Sequence, residues 1–421
     1  MRYVASREEM QNIDAYSINN VGIPGIVLME KAALALEEVF LERIPTDSRV
    51  LIVTEKGNNG GDGLALGRLL LEEGYTVDFY ESGVIPHDSD SHQIQKHILE
   101  QMEADFLMKF PDEEYDVIVD AIFGVGLKRE VAGRHREVIE RLNQMEALKV
   151  AVDVPSGVDA SAGQILGIAF EADITVTFGL PKVGLLLYPG ADVSGEVIVK
   201  EIGFPNKAVE EIAPQMVSFT TDDLEYLPER KAWTNKGSYG KVLLIAGSKN
   251  MAGAALLSGT AAYKSGSGLV RIFSCEENRV ILQEKLPEAI LTTYDSEEKA
   301  WELLPESLSW ASVIGIGPGI GQSAFARKLV KQVLTLGKAP LVIDADGLNN
   351  LAALLQEDTE LRQLFHEYEG GMILTPHLKE MSRLTGEEIA EIRSNLPKAA
   401  ASTADKGHVI VLKDARTIVS D

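Results

Sequence analysis

Two α/β domains in tandem, each built on a parallel sheet, are what this sequence predicts, and three observations predict it. Short apolar runs rich in Val and Ile alternate with stretches of helical periodicity, the pattern of parallel strands covered by helices on both faces. The runs fall at residues 50–53, 117–119, 150–152 and 174–177, then the rhythm restarts at 241–246 and continues through 313–316, 341–343, 372–374 and 409–412. The length of 421 residues also exceeds what one hydrophobic core serves, at roughly 150 residues per domain.

Between the two series, residues 203–205 and 217–230 carry acidic residues, Thr221 and Pro228 in place of a sustained apolar pattern, which marks a surface connection. The expected domains are 1–217 and 225–421. The halves carry different glycine motifs and no short repeat, so they do not read as a duplication.

Composition narrows the class of partner. Forty Lys and Arg against 64 Asp and Glu give a formal charge of -24, which disfavours delocalised attraction to nucleic acid or to an anionic membrane. An anionic ligand must be held by a local device such as a helix N-terminus. Cys275 stands alone, so no intrachain disulfide can form. The opening MRYVASREEMQNID carries charges where a signal peptide is apolar, and no run of 18 apolar residues follows. The expectation is a soluble cytoplasmic chain.

In the first half, the strand ending at Thr54 is followed by GNNGGDG (57–63) and then by LALGRLLLEEG, helically spaced and ending at Gly74. Strand, glycine loop and helix together aim backbone N–H groups at an anion. The loop has neither the spacing of G-x-G-x-x-G nor a Lys-Ser or Lys-Thr ending, so it is not the loop of a simple dinucleotide-binding dehydrogenase or of a P-loop NTPase. Asp120, in VDAIFGVGLKREVAG, and Asp153, in VAVDVPSGVDA, end two later strands. Carboxyl ends of parallel strands are where such sheets bind ligands, so three loops can converge on one crevice.

GNNGGDG, DAIFGVGLKR and DVPSGVDA, in that order, resemble the YjeF N-terminal domain, the NAD(P)H-hydrate epimerases, over about residues 1–215. The resemblance implies a Rossmann-like three-layer αβα sandwich that interconverts the R and S hydrates of NAD(P)H. It places Asn58, Asn59, Gly60, Gly61 and Asp62 along the substrate, and makes Asn59, Asp120 and Ser156 ligands of a potassium ion. Gly124, Val125, Gly126, Leu127, Lys128, Arg129 and Glu130 would hold substrate phosphate. Asp153 would meet the reacting nicotinamide end as acid or base. These residue types suit the chemistry: a monovalent cation takes several oxygen ligands of low total charge, and a carboxylate near it can stay ionised and accept a proton. Lys128, Arg129 and Arg134 could serve a 2′-phosphate or simply a solvated surface, which leaves NADHX and NADPHX both open.

The second half opens with KGSYG at 236–240, then a strand and a helix of small residues, followed by LPEAI (286–290), GIGPGIG (315–321), DADGLN (344–349) and TPHLKE (375–380). GIGPGIG follows a strand and brings backbone amides toward a ligand, while Asp344 and Asp346 sit at the end of the next strand. These motifs are similar to the ribokinase-like ADP/ATP-dependent NAD(P)H-hydrate dehydratases over residues 225–421. By that resemblance Ala254, Gly319 and His377 meet the hydrated nicotinamide, and Lys413, Asp414, Ala415, Arg416 and Thr417 lie against ADP or ATP with Mg2+. The reaction implied is phosphorylation of the ring hydroxyl followed by elimination.

Two departures qualify the second resemblance. Asp414 stands where the family has glycine after its lysine, and the family's Gly-Thr-Gly-Asp motif has no counterpart before Asp421. The expectation is therefore a dehydratase domain lacking its last elements and weak or silent in turnover. A nucleotide-binding module or scaffold without turnover is the alternative from another class. A sugar or vitamin kinase is disfavoured, because it leaves the first domain unexplained. Association of copies is expected only at the level of the family.

Overall fold

The computed structural model describes residues 1–83, 89–404 and 408–421, and the chain divides into two units, Met1–Pro228 and Glu229–Asp421. In the first, a six-stranded parallel sheet runs in the order Thr76–Glu81, Arg49–Thr54, Val117–Ala121, Leu148–Val152, Ile174–Phe178, Glu196–Lys200. Val50 to Val53 are all fully buried, as a continuous apolar run in a sheet covered on both faces must be. Val50 and Ile52 pack with Leu36, Phe40, Leu64 and Leu70 of the helices Gly25–Arg43 and Asn58–Glu72. Leu51 and Val53 point the other way, onto Val138, Ile139 and Leu142 of the helix Gly133–Gln144. Period-two alternation along one strand thus builds the helix, sheet and helix layers, each buried side chain contributing roughly 1.5–3 kcal/mol.

The chain leaves Arg49–Thr54 toward one sheet edge and returns to its other side at Val117–Ala121. This reversal opens a crevice at the carboxyl ends of those two strands, the binding position of open α/β sheets.

The second unit carries an eight-stranded sheet in the order Ile290–Tyr294, Leu269–Cys275, Lys241–Ile245, Val313–Ile316, Leu341–Ile343, Met372–Leu374, Val409–Leu412, Ile418–Ser420. Its reversal lies between Lys241–Ile245 and Val313–Ile316. All neighbours are parallel except the last pair, which is antiparallel. The sequence pattern suggested parallel strands alone; a link as short as 413–417 cannot make the crossover of a dozen or more residues that a parallel return needs.

Residues 217–230, read from the sequence as connection, are partly structured. Met216–Ser218 pairs antiparallel with Arg2–Val4, and the Met1 ammonium meets Asp223, which also accepts from Thr220 N at 2.6 Å. Strands this short leave no periodicity to read. Among the described residues no helix is long and apolar enough to cross a membrane.

Gly157, in the DVPSGVDA motif, shows why one of these glycines is obligatory. Its φ is +99°, and a Cβ would lie 1.8 Å from the Ile168 carbonyl oxygen. Gly157→Ala must both adopt a left-handed backbone and push that carbonyl away, so a loss of about 3 kcal/mol or more is expected. Thermal unfolding checks this; a midpoint within 2 °C or so of the parent would contradict it.

Candidate active site

The helix Asn58–Glu72 begins directly after Gly57, so most of the glycine motif forms its first turns rather than a loop. Close packing explains this. A Cβ on Gly60 would stand 1.7 Å from Glu55 O, one on Gly61 2.5 Å from Met29 Cε, and one on Gly63 2.5 Å from Ala121 Cβ. Gly60 and Gly61 are buried against protein and do not themselves line the cavity. Asn58, Asn59 and Asp62 remain on the cavity side, at a helix N-terminus whose first N–H groups have no partner within the helix.

The cavity holds about 730 Å3 and is walled by residues from well-separated segments, including Asp14, Asn59, Asp62, Gly124, Asp153 and Lys182. Residues 124–129 all line it, and Glu130, which follows them, is exposed.

Asp120 and Ser156 sit behind the cavity wall, both fully buried. Ser156 Oγ donates to Asp120 Oδ1 at 2.6 Å and Ser156 N donates to Oδ2 at 2.7 Å. The same hydroxyl accepts from Phe123 N at 2.8 Å. Asn59 reaches this group through the adjoining residue: a Cβ on Gly124 would lie 2.7 Å from Asn59 Oδ1. Three strand ends are thereby joined at the 122–124 backbone. Burial pushes the Asp120 carboxyl up to about 6, against the hydrogen bonds from Ser156 and Ile122 that pull it down.

Asp153 adopts φ +65°, a conformation in which Asp and Asn are the usual non-glycine residues. Its Oδ1 accepts from Lys182 Nζ at 2.5 Å, from Thr177 Oγ1 at 3.1 Å and from Phe178 N at 3.3 Å. Every bond falls on one oxygen, and Oδ2 has no protein donor among the described residues. Lys182 is 1% exposed and also donates to Thr177 Oγ1 and the Phe178 carbonyl, each at 2.8 Å. All three of its protons are thus directed, and the carboxylate it holds is fixed in orientation.

Sequence reasoning missed Asp14, on the helix Arg7–Tyr16, and Lys182, after the strand Ile174–Phe178. Asp14 sits in an unremarkable charged helix. Lys182 had a usable signal, being a cation four residues past the end of a fully buried strand, at the same sheet end as Asp120 and Asp153.

In the second unit, the loops after Lys241–Ile245 and Val313–Ile316 dock on each other. Gly247 N donates to Pro318 O at 2.9 Å and Ser248 N to Gly319 O at 2.7 Å. A Cβ on Gly319 would be 2.7 Å from Ala254 Cβ, so Ala254 and Gly319 are brought together. His377 and Lys413, after the strands Met372–Leu374 and Val409–Leu412, are joined by a single bridge. Lys413 Nζ donates to Asp344 Oδ1 at 2.8 Å, as does Thr375 Oγ1. Burial would raise the Asp344 carboxyl, but these hydrogen bonds hold it below the ordinary range. His377 caps the helix Leu378–Thr385, its Nδ1 accepting from Lys379 N and Glu380 N, while its Nε2 lies 3.4 Å from Glu380 Oε1. Asp414 to Thr417 are exposed in the turn before Ile418–Ser420.

Comparison with known proteins matches residues 25–184 to the YjeF-related protein N-terminus and 242–421 to NAD(P)H-hydrate dehydratase. The bifunctional NAD(P)H-hydrate repair enzyme of Thermofilum pendens is 33% identical over 99% of this chain and 81% of its own length. That of Escherichia coli is 31% identical over 95% of this chain and 75% of its own length. A crystal structure of the ADP/ATP-dependent NAD(P)H-hydrate dehydratase from Bacillus subtilis, grown with ATP/Mg2+, is 32% identical with a TM-score of 0.38, over 46% of this chain and 65% of that one.

Proposed function

From the membership of this chain in the family of bifunctional NAD(P)H-hydrate repair enzymes, we propose that its first unit interconverts the R and S hydrates of NAD(P)H. The second unit is of the kind that returns the S hydrate to NAD(P)H at the expense of ADP or ATP, and with Asp414 beside Lys413 in its nucleotide turn its turnover is expected to be weak or silent. The observation that carries the epimerase reading is Asp153: a carboxylate held through one oxygen by buried Lys182 and open through the other, in a cavity large enough for a nicotinamide nucleotide. The helix N-terminus at Asn58 and the cations Lys128 and Arg129 supply anion contacts on the same cavity for the phosphates.

Asn59, Asp120 and Ser156 suit a potassium ion. Among the described residues the buried Asp120 charge has no protein cation beside it and the buried Asn59 Nδ2 has no partner, an amide whose oxygen a simple flip would turn inward. A cation bound by these residues would neutralise Asp120 and fix the 122–130 segment. KCl is therefore expected to raise the unfolding temperature above that in tetramethylammonium chloride, the stabilisation being about 2.7 kcal/mol at a hundredfold excess over Kd. Asp120→Asn should abolish the difference; equal midpoints in both salts for the parent protein would exclude the ion.

In the second unit, Ala254 and Gly319, beside the sheet reversal, would meet the hydrated ring, and the 413–417 turn, after the strand Val409–Leu412, the nucleotide. The whole reading is tested by incubating purified protein with resolved R hydrate and following S hydrate by chromatography, then adding ATP and Mg2+ and following NADH absorbance. Equilibration of epimers is the expected outcome; calorimetric binding without any exchange of epimers would favour a binding module instead.

A further inference from the structure

Among the described residues six charged side chains line the cavity: Asp14, Asp62, Lys128, Arg129, Asp153 and Lys182. Three are carboxylates from three different elements: the helix Arg7–Tyr16, the helix Asn58–Glu72 and the turn after Leu148–Val152. Asp153 takes the buried lysine for itself. Asp14 and Asp62 have no hydrogen-bond or ion-pair partner among the described residues, though both face the space a ligand would fill.

Epimerisation at a carbon bearing both a hydroxyl and the ring nitrogen needs more than one proton-carrying group. Resting on the epimerase reading, we propose that Asp62 is a second catalytic carboxyl, the proton donor to the hydroxyl of the hydrate, working with Asp153 as acceptor and with Asp14 as its positioning partner. Asp62 gives its proton to the C6 hydroxyl, and the C–O bond breaks with its electron pair leaving on water. The ring nitrogen lone pair forms the N1=C6 double bond of a planar iminium. Water then adds to the other face of C6, and its proton passes to Asp153. One water leaves and one enters; one proton is given by Asp62 and one is taken by Asp153. The opposite epimer reacts by the reverse assignment, which suits carboxyls on different walls of one cavity.

Electrostatics agree with these roles. Burial first, then the charges of Asp153 and Asp14, drive the Asp62 carboxyl well above the usual carboxylate range, with Lys182 only partly opposing. Burial and then Asp153 raise Asp14 in the same direction. Asp153, paired to Lys182, is the member of the group provided with a counter-charge. Lys128 and Arg129, on the 122–130 segment, are not among the groups that move either acid.

The test measures kcat and KM for R to S conversion across pH. Asp62→Asn, nearly equal in volume, is expected to lower kcat about 100-fold or more with KM little changed. Asp14→Asn removes a like charge, so the alkaline limb, where Asp62 loses its proton, should move roughly one unit toward lower pH. A parental rate in Asp62→Asn, or an unmoved alkaline limb in Asp14→Asn, would overturn the assignment while leaving the epimerase reading intact. An inactive parent protein would instead sink that reading. Should Asp62→Asn fail to fold on thermal melting, the Asp14→Asn profile decides alone.

Discussion

Asp153→Asn is expected to lower the interconversion of hydrates by about 10²- to 10⁴-fold, the range a positioned acid or base contributes. Asparagine is the informative replacement. It tolerates the φ of +65°, and it can still accept from Lys182, Thr177 and Phe178 N through its amide oxygen, so the fold should survive. What it loses is the second, unengaged oxygen as a proton acceptor. Retained turnover with intact folding would remove Asp153 from the chemistry and return the cavity to a binding role.

The second large effect is expected at Lys182, which the sequence reading passed over. Lys182→Met keeps most of the stem and removes the ammonium, leaving Asp153 largely buried beside Thr177 and the Phe178 carbonyl without its counter-charge. Breaking one half of a buried pair costs about 3–5 kcal/mol, which for a unit of this size lowers the unfolding midpoint by roughly 6–20 °C. Adding Asp153→Asn to Lys182→Met should recover part of that loss, because the orphaned charge is gone; a strictly additive double mutant would show that the two side chains do not depend on each other. The single variant should also be poor in epimerisation even where folded, since nothing then holds the Asp153 oxygens in orientation.

Several features were legible because local physics decides them. The strands at 50–53 and 117–119 must read as unbroken apolar runs, since both of their faces are covered. Asp120 and Asp153 followed such runs and so had to lie at the carboxyl end of the sheet. The motif glycines were visible too, but not their purposes. Gly60, Gly61 and Gly63 are glycine because Glu55, Met29 and Ala121 come too close for a Cβ, and Met29 and Ala121 arrive from elsewhere in the chain. For the same reason the motif looked like a loop while forming the start of a helix: glycine's low helix propensity is overridden by packing.

By itself the amino-acid order determined two parallel α/β layers, the sheet end at which chemistry takes place, and the carboxylates that end the strands. These follow from periodicity and strand direction, which are properties of neighbouring residues. Only the tertiary structure decided which oxygen of Asp153 is held and which is open, that Lys182 does the holding, and that Asp14 joins the cavity from the amino-terminal helix. Burial, pairing and charge coupling depend on residues distant in the chain meeting in a dry space, and no local pattern records that encounter.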